Sequence, residues 1–178
     1  MFYLLRYLLN DRDKNTDMEI DIWLARYEEK HLLRKMLELY AYDCSKFDNK
    51  DLNEFGEYGY RYLDLYWIEP ERFPFILRVN SKLAGFALVN KFSHAENVDR
   101  TIAEFMVLKK YRDREIGKKF AFDLFDKFPG KWEIRTLKEN SAAIAFWRKT
   151  IAQYAADSMQ EFTQGIGDWQ NPLWTFTN

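Results

Sequence analysis

Hydrophobic and polar residues follow two different periods along the chain, and each period predicts a type of secondary structure. Residues 18–24 alternate apolar and acidic side chains, as in a half-buried strand. Within residues 61–67 we expect a short helix, because Pro70 disfavours its continuation. A longer helix before it is predicted by apolar residues at helical spacing: Leu33, Met36, Leu37 and Tyr40.

The remainder of the chain is rich in β-forming runs. Residues 73–79 and 83–90 flank a turn at residues 80–82 and predict a hairpin. Further strands are predicted at residues 101–108, 132–137, 159–164 and 172–177. Residues 140–154 predict a helix capped by Asn140 or Ser141. Another helix is predicted by one continuous apolar face: Gly117, Phe120, Ala121, Leu124, Phe125 and Phe128.

This order of elements predicts an α/β fold with a mixed sheet in a single domain, residues 18–178. Residues 1–17 precede it as an extension that we expect to be helical. Their apolar run is too short to span a bilayer and lacks the cleavage site of a secretory signal. We expect the extension to pack on the domain or on a partner subunit, which leaves a homodimer open.

Composition narrows the class of protein. Hydrophobic residues make up 47% and charged residues 31% of the 178 positions, which is typical of a soluble globular protein. We expect the protein to be cytoplasmic. The net charge of -1 argues against a nucleic-acid partner, and we expect no membrane association. Cys44 is the only cysteine, and His31 and His94 are the only histidines. We therefore expect neither a disulfide framework nor a metal site.

A basic turn feeds the helix in residues 111–125. The N-terminus of a helix leaves main-chain N–H groups unpaired and carries partial positive charge, so it attracts anions. The turn and first helical residues add four cations: Arg112, Arg114, Lys118 and Lys119. Cations at this end are unfavourable to the helix dipole, which indicates a bound anion. A solvated charged turn is the alternative interpretation.

Two motifs together resemble a known family. The stretch VLKKYRDREIGKKF, residues 107–120, resembles the acyl-CoA pyrophosphate loop of the GNAT N-acetyltransferase superfamily. Arg112 takes the first position of that motif and Gly117 the last, while Glu115 replaces its inner glycine. A second element of the family follows the next strand and is matched by Asn140, Ala143, Phe146 and Trp147.

The resemblance implies a single GNAT-like domain with a mostly antiparallel mixed sheet, and transfer of an acetyl group from acetyl-CoA to a primary amine without a metal. It implies cofactor binding through main-chain groups of Phe105, Val107 and Lys109 and of the loop. The implied cofactor-binding residues are Phe105, Met106, Val107, Arg112, Asp113, Arg114, Glu115, Ile116, Gly117, Lys118, Asn140, Ala143, Phe146 and Trp147.

Glu104 is our candidate general base. It interrupts an otherwise apolar strand, and period-two alternation predicts that it shares a face with Ile102 and Met106. Burial of a carboxylate raises its pKa toward a value useful for a base. The alternative to a catalytic role is a structural Glu104 that forms an ion pair with a Lys or Arg. Many relatives place a tyrosine acid at the position of Trp147, and an indole cannot perform that role. Either Tyr154 replaces that tyrosine as the general acid, or the CoA thiolate leaves without a dedicated acid.

The acceptor is expected to bind near residues 51–71, where six acids are interleaved with aromatic residues. Acids and aromatics together favour a cationic small-molecule amine or a basic side chain as the acceptor. A solvated helical face with core tyrosines is the alternative explanation. Two other functions stay open: an acyl-CoA-binding sensor with little turnover, and an interaction protein with a GNAT fold.

Overall fold

The computed structural model describes residues 18–178, so the predicted helical extension lies outside the described residues. The strands are β1 Ile20–Leu24, β2 Phe73–Val79, β3 Lys82–Asn90, β4 Arg100–Val107, β5 Lys131–Arg135, β6 Gln160–Phe162 and β7 Leu173–Thr177. The α-helices are α1 Lys30–Asp48, α2 Ile116–Lys127 and α3 Ser141–Ala155. The predicted second helix is a short 3-10 helix, Leu63–Trp67.

One seven-stranded sheet joins all these strands in the order β1-β2-β3-β4-β5-β7-β6. Strands β4 and β5 run parallel, and every other neighbouring pair is antiparallel. The predicted single domain with a mixed, mostly antiparallel sheet is therefore confirmed. No helix within residues 18–178 is long and apolar enough to cross a membrane.

Helices cover both faces of the sheet and divide the core in two. On one face α2 and α3 pack on the sheet around Phe120, Leu124 and Trp132. On the other face α1 packs on it through Leu33 and Leu37. Most of the apolar face predicted for α2 is confirmed, because Phe120, Ala121, Leu124 and Phe125 are buried. Ile116 joins them, whereas Phe128 lies past the helix as its C-cap. Each helix is held by burial of one apolar stripe.

The hairpin of β2 and β3 turns through two residues with positive φ, Asn80 at 49° and Ser81 at 62°. Two consecutive left-handed residues form a type I′ turn, whose twist matches that of the flanking strands. Asparagine tolerates this conformation better than most residues do. The turn therefore sets the register between β2 and β3, in which Val79 lies opposite Lys82.

A β-bulge interrupts β4 at Ala103. Leu88 of β3 lies opposite Glu104, whereas the next residue, Val89, lies opposite Ile102, so Ala103 has no partner of its own. The extra residue turns Ile102 toward α2 and α3, while Ala103 faces α1. The predicted common face of Ile102 and Glu104 is therefore wrong, because strict alternation ends at the bulge.

Candidate active site

The centre of the site is a gap between two strands that separate. β4 and β5 are paired through three positions only, from Arg100 to Ile102 on β4. The Leu108 N–H donates to the Ala84 carbonyl on β3 at 2.8 Å. Because main-chain groups alternate in direction along a strand, Met106 also directs its N–H at β3, and those of Phe105 and Val107 face the gap.

An aromatic cluster closes the gap on the side of α2 and α3. The ring of Phe105 lies 5.0 Å from Phe120, 5.8 Å from Phe146 and 4.9 Å from Trp147, between centroids. Gly117 allows this packing, because a Cβ at that position would lie 3.2 Å from the Cε2 of Phe146. Trp147 is only 5% exposed and serves as a packing group.

The loop between β4 and α2 carries the candidate anion site. α2 begins at Ile116, and the first N–H to reach a helical acceptor is that of Lys119, which donates to the Glu115 carbonyl at 3.0 Å. Among residues 18–178 the preceding N–H groups from Asp113 to Lys118 find no acceptor. Six main-chain donors at one helix end form a suitable cradle for a pyrophosphate.

Two residues of this loop have the left-handed conformation that favours glycine. Asp113 has φ 60° and Glu115 has φ 59°. Position 115 is where the family motif has its inner glycine, so the conformation fits the alignment while the residue does not. The Glu115 side chain turns outward to form an ion pair with Lys118. Its hydrogen bond with Lys118 lowers the pKa of Glu115 and keeps a negative charge beside the cradle.

Arg112 points away from the cradle. Its Nε donates to the Val107 carbonyl at 2.7 Å, and its Nη2 donates to Asp43 Oδ2 on α1 at 3.0 Å. Lys109 also pairs with Asp43, at 3.0 Å. Burial raises the pKa of Asp43, but hydrogen bonds from these two cations outweigh it and the net shift is downward. Arg112 therefore braces the loop against β4 and α1.

The second motif lies at the start of α3. Asn140 is the N-cap residue, and its Oδ1 accepts the Ala143 N–H at 3.0 Å. The expected capping role is thus observed, and it occupies the side-chain oxygen. Phe146 and Trp147 follow on the helical face that meets Phe105. The structure therefore brings this motif to the same gap as the loop.

Glu104 lies on the opposite face of β4, toward α1. It is half-buried, and burial raises its pKa from an ordinary value of 4.5 to about 7. The neighbouring Tyr40 and Tyr60 hydroxyls lower the pKa, but by less than burial raises it. Burial raises its pKa as expected, and among the ion pairs of residues 18–178 Glu104 has no Lys or Arg partner.

These two tyrosines were not identified as partners from the sequence. Tyr40 was assigned only to the helical apolar stripe, and Tyr60 only to the aromatic residues of the acceptor region. A phenol on an inward-facing helical position is the one sequence signal, because a buried hydroxyl requires a polar partner. Tyr66 extends the polar group, since its hydroxyl accepts a hydrogen bond from Asn90 Nδ2 at 3.0 Å.

The acids of the acceptor region fall into two groups. Asp64 pairs with Lys30 at 2.8 Å, Glu69 with Arg72 at 2.6 Å and Glu71 with Arg100 at 2.6 Å. Within the described part of the chain, three acids form no ion pair: Asp51, Glu54 and Glu57. Three of the six acids of this region are therefore compensated by a cation.

The loop after β3 and the loop before β7 meet beside β5. The His94 and Ala95 N–H groups donate to the buried Glu133 carboxylate at 3.0 and 2.7 Å. The His94 ring contacts Asp168 of the loop before β7, with Nδ1 and Oδ1 2.7 Å apart. Residues 18–178 contain no group of three or more His, Cys, Asp or Glu side chains placed to hold a metal ion.

Comparison with solved structures shows the same fold in several acetyltransferases. A GNAT-family acetyltransferase from Streptococcus agalactiae has a TM-score of 0.63 and 14% identity, over 89% of this chain and 95% of that one. The PaiA N-acetyltransferase from Thermoplasma acidophilum, in complex with coenzyme A, has a TM-score of 0.61 and 12% identity, over 90% of this chain and 100% of that one. A spermidine N-acetyltransferase from Vibrio cholerae, in complex with CoA and spermine, has a TM-score of 0.58 and 9% identity, over 89% of this chain and 95% of that one.

A search among curated protein sequences finds no match to this chain. The model of the acetyltransferase (GNAT) family, in contrast, matches residues 30–151, which is more than half of the chain. This match spans α1, the gap between β4 and β5, and the loop before α2. The chain therefore belongs to the GNAT acetyltransferase family.

Proposed function

We propose that this chain transfers the acetyl group of acetyl-CoA to a primary amine, with Glu104 as the general base. One observation carries the proposal: Glu104 and the free main-chain groups of the gap are neighbours on one strand. Residue 105 offers its N–H to the gap, and residue 104 presents a carboxyl group on the α1 face. A base and an oxyanion donor are therefore held one residue apart.

Acetyl-CoA supplies the acetyl thioester when it is bound. The main-chain N–H groups of Phe105 and Val107 are the donors we assign to the pantetheine and thioester oxygens, as electrostatic stabilisation of developing negative charge requires. The N–H groups at the start of α2, with Arg114, Lys118 and Lys119, are assigned to the pyrophosphate. Arg112 contributes by holding the Val107 carbonyl and not by binding phosphate.

We assign to Glu104 the role of accepting the proton of the attacking amine. A pKa of about 7 keeps a large fraction ionised at neutral pH and still makes the carboxylate a stronger base than an ordinary glutamate. The Tyr40 and Tyr60 hydroxyls stabilise the ionised form, and burial opposes it. The balance between the two is what suits the residue to general-base catalysis.

We assign no side chain as the general acid. Trp147 has only an indole N–H and is packed in the aromatic cluster. The Tyr154 hydroxyl donates to Asp126 Oδ1 at 2.5 Å near the C-terminal end of α2, away from the gap. An ordinary thiol has a pKa of about 8.5, so the CoA thiolate can leave without a dedicated acid near neutral pH.

The acceptor we propose is a cationic small-molecule amine or a basic side chain. Asp51, Glu54 and Glu57 supply uncompensated negative charge in the acceptor region, and the partly exposed Tyr58 supplies aromatic surface for a cation. A structural neighbour from Vibrio cholerae, a spermidine N-acetyltransferase in complex with CoA and spermine, supports a polycationic amine as the acceptor. An acceptor range limited to neutral and acidic amines would contradict the assignment.

The experiment that tests the function has two stages. Calorimetric titration with acetyl-CoA measures binding, and a thiol-release assay over a panel of primary amines then measures turnover. Amine-dependent thiol release supports the proposal. Binding without release with any amine would favour an acyl-CoA sensor, which the departures at Glu115 and Trp147 suggest as the alternative. Absence of binding to any CoA derivative would favour an interaction protein.

A further inference from the structure

One carboxylate on α1 binds two cations of the loop that carries the cradle. The Oδ2 of Asp43 accepts a hydrogen bond from Arg112 Nη2 at 3.0 Å, and its Oδ1 lies 3.0 Å from Lys109 Nζ. The Asp43 side chain is 23% exposed, whereas that of Lys109 is 74% exposed. An exposed ion pair contributes little, so the contact with Arg112 is the more important of the two.

The loop depends on such a contact because its middle is exposed. Tyr111 and Ile116 are buried, and the four residues between them are exposed. Two of these four, Asp113 and Glu115, have the left-handed conformation, which is unfavourable for residues other than glycine. Within the described part of the chain, Arg112 is the only one of the four whose side chain bonds to a group beyond the loop and α2. The exposed run is therefore held from outside at Arg112.

Arg112 also connects this contact to the edge of the gap. Its Nε donates to the Val107 carbonyl at 2.7 Å. That carbonyl faces the gap, because the Leu108 N–H donates to Ala84 on β3 and main-chain groups alternate in direction along a strand. A guanidinium that bonds through Nε and Nη2 at once has a fixed orientation. Asp43 therefore orders the side chain that joins the end of β4 to the start of the cradle.

We propose that Asp43 is a positioning residue that holds the loop between β4 and α2 in the conformation that binds the pyrophosphate of acetyl-CoA. The inference rests on the proposed function, in which the N–H groups at the start of α2 bind that pyrophosphate. It extends the cofactor site to α1, which lies on the other face of the sheet from α2. A loop that is ordered before binding loses less conformational entropy when the cofactor binds, and its affinity is higher for that reason.

Asp43→Asn separates the two effects that a carboxylate can have at this place, because they differ in sign. Charge alone predicts tighter binding, since removal of a negative charge favours a polyanionic cofactor. Positioning predicts weaker binding, since asparagine offers one oxygen acceptor and presents its NH2 group to the other cation. We expect the dissociation constant for acetyl-CoA to rise about three- to tenfold, the effect of one partly exposed hydrogen bond between charged groups. Calorimetric titration measures it.

Asp48→Asn is the matched control. Asp48 is an exposed aspartate at the end of the same helix, and its Oδ1 accepts the nearby Lys50 N–H at 3.1 Å. The control removes the same charge from α1 without a change in the loop, so the dissociation constant should change by less than about twofold. Arg112→Gln should weaken binding about as much as Asp43→Asn does. The combined variant should bind no more weakly than the weaker single variant, because both changes break one link.

Trypsin cleavage tests the loop without ligand and without turnover. Trypsin cuts after lysine and arginine, and Lys110 and Arg114 lie in the loop without an ion pair to Asp43. Cleavage there requires local opening of the loop. It should be about three- to tenfold faster in Asp43→Asn than in the wild type, in parallel with the loss of affinity, and unchanged in Asp48→Asn. Mass spectrometry identifies the sites that are cut.

The outcomes distinguish this inference from the proposed function. Unchanged or tighter acetyl-CoA binding in Asp43→Asn would overturn the inference, as would additive losses in the combined variant or loop cleavage no faster than in Asp48→Asn. Weaker binding together with faster cleavage would support it. If the wild type binds acetyl-CoA but releases no thiol with any amine, the transferase is rejected and the inference stands. If the wild type does not bind acetyl-CoA, both are overturned.

Discussion

The two faces of β4 differ in chemistry although they belong to one strand of eight residues. On the α2 and α3 face, Phe105 lies in an aromatic cluster with Phe146 and Trp147. On the α1 face, Glu104 lies among tyrosine hydroxyls. The first face shapes the gap by packing, whereas the second contains the group that can exchange a proton.

The bulge at Ala103 produces this difference. Two consecutive residues, Ala103 and Glu104, face α1, and alternation then resumes with Phe105 facing α2. The bulge lies next to the point where pairing with β5 ends, after Ile102. The inserted residue therefore directs the Glu104 carboxyl group toward α1. It occurs where the main-chain groups of β4 that face β5 lose their partners.

The largest effect is expected from Glu104→Gln. Loss of a general base lowers kcat by about 100-fold to 10,000-fold. The affinity for acetyl-CoA should change by less than about twofold, because the variant keeps the main-chain groups that we assign to the cofactor. Steady-state thiol release and calorimetry measure the two quantities. A parallel loss of affinity would show that the two faces do not act separately, and an unchanged rate would remove Glu104 from the mechanism.

On the packing face, Trp147→Ala should lower the free energy of unfolding by about 3 to 5 kcal/mol, the cost of truncating a buried tryptophan. Its ring partners, Phe105 and Phe146, carry no titratable group, so the loss should be the same at pH 5 and pH 9. Urea denaturation at both pH values measures it. Trp147→Tyr adds a phenol at the same place, and a rate gain above about tenfold would show that the wild-type gap lacks an acid.

The polar face should instead show pH-dependent stability. The folded-state pKa of Glu104, about 7, lies above the ordinary 4.5, so the stability its neutral form contributes is complete below pH 4.5 and lost as the pH rises through 7. Glu104→Gln removes this dependence. Between pH 4 and pH 9 its stability relative to wild type should rise by about 3 kcal/mol. A constant difference across that range would contradict the raised pKa.

Much of the fold could be predicted from the sequence because its signals are local. The helical stripe through Leu33 and Leu37, the turn at Asn80 and the loop around Gly117 each depend on neighbours in the chain. The face of Ile102 could not be predicted, because a bulge depends on pairing with β3 rather than on the residues of β4.

The candidate site was predictable in part for the same reason. Glu104 was recognisable as a carboxylate in an apolar strand. Its partners Tyr40 and Tyr60 come from distant parts of the chain, and their convergence depends on how α1 and the acceptor loop pack. The orientation of Arg112 was likewise hidden, since its hydrogen bond to Asp43 joins residues 69 positions apart.

The smallest effect is expected in the loop between β4 and α2, which follows the strand whose two faces differ. Glu115→Gly removes a negative charge beside the cradle and relieves a left-handed conformation, which costs a non-glycine residue about 1 kcal/mol. The greater backbone freedom of glycine in the unfolded chain offsets most of that relief, so stability should change by less than about 0.5 kcal/mol. The affinity for acetyl-CoA should rise several-fold, since Lys118 loses its ion-pair partner and turns to the phosphates.

Glu115→Gln is the control that separates the effect of the charge on acetyl-CoA affinity from the effect of the left-handed backbone, because it removes the charge and keeps the Cβ. If charge is the cause, calorimetry should show the same tightening in both variants, and the gain should shrink as salt screens the loop. If the left-handed backbone is the cause, only the glycine variant should tighten. Loss of binding in Glu115→Gly would mean that the cradle depends on the Glu115–Lys118 pair, and that position 115 does not correspond to the inner glycine of the motif.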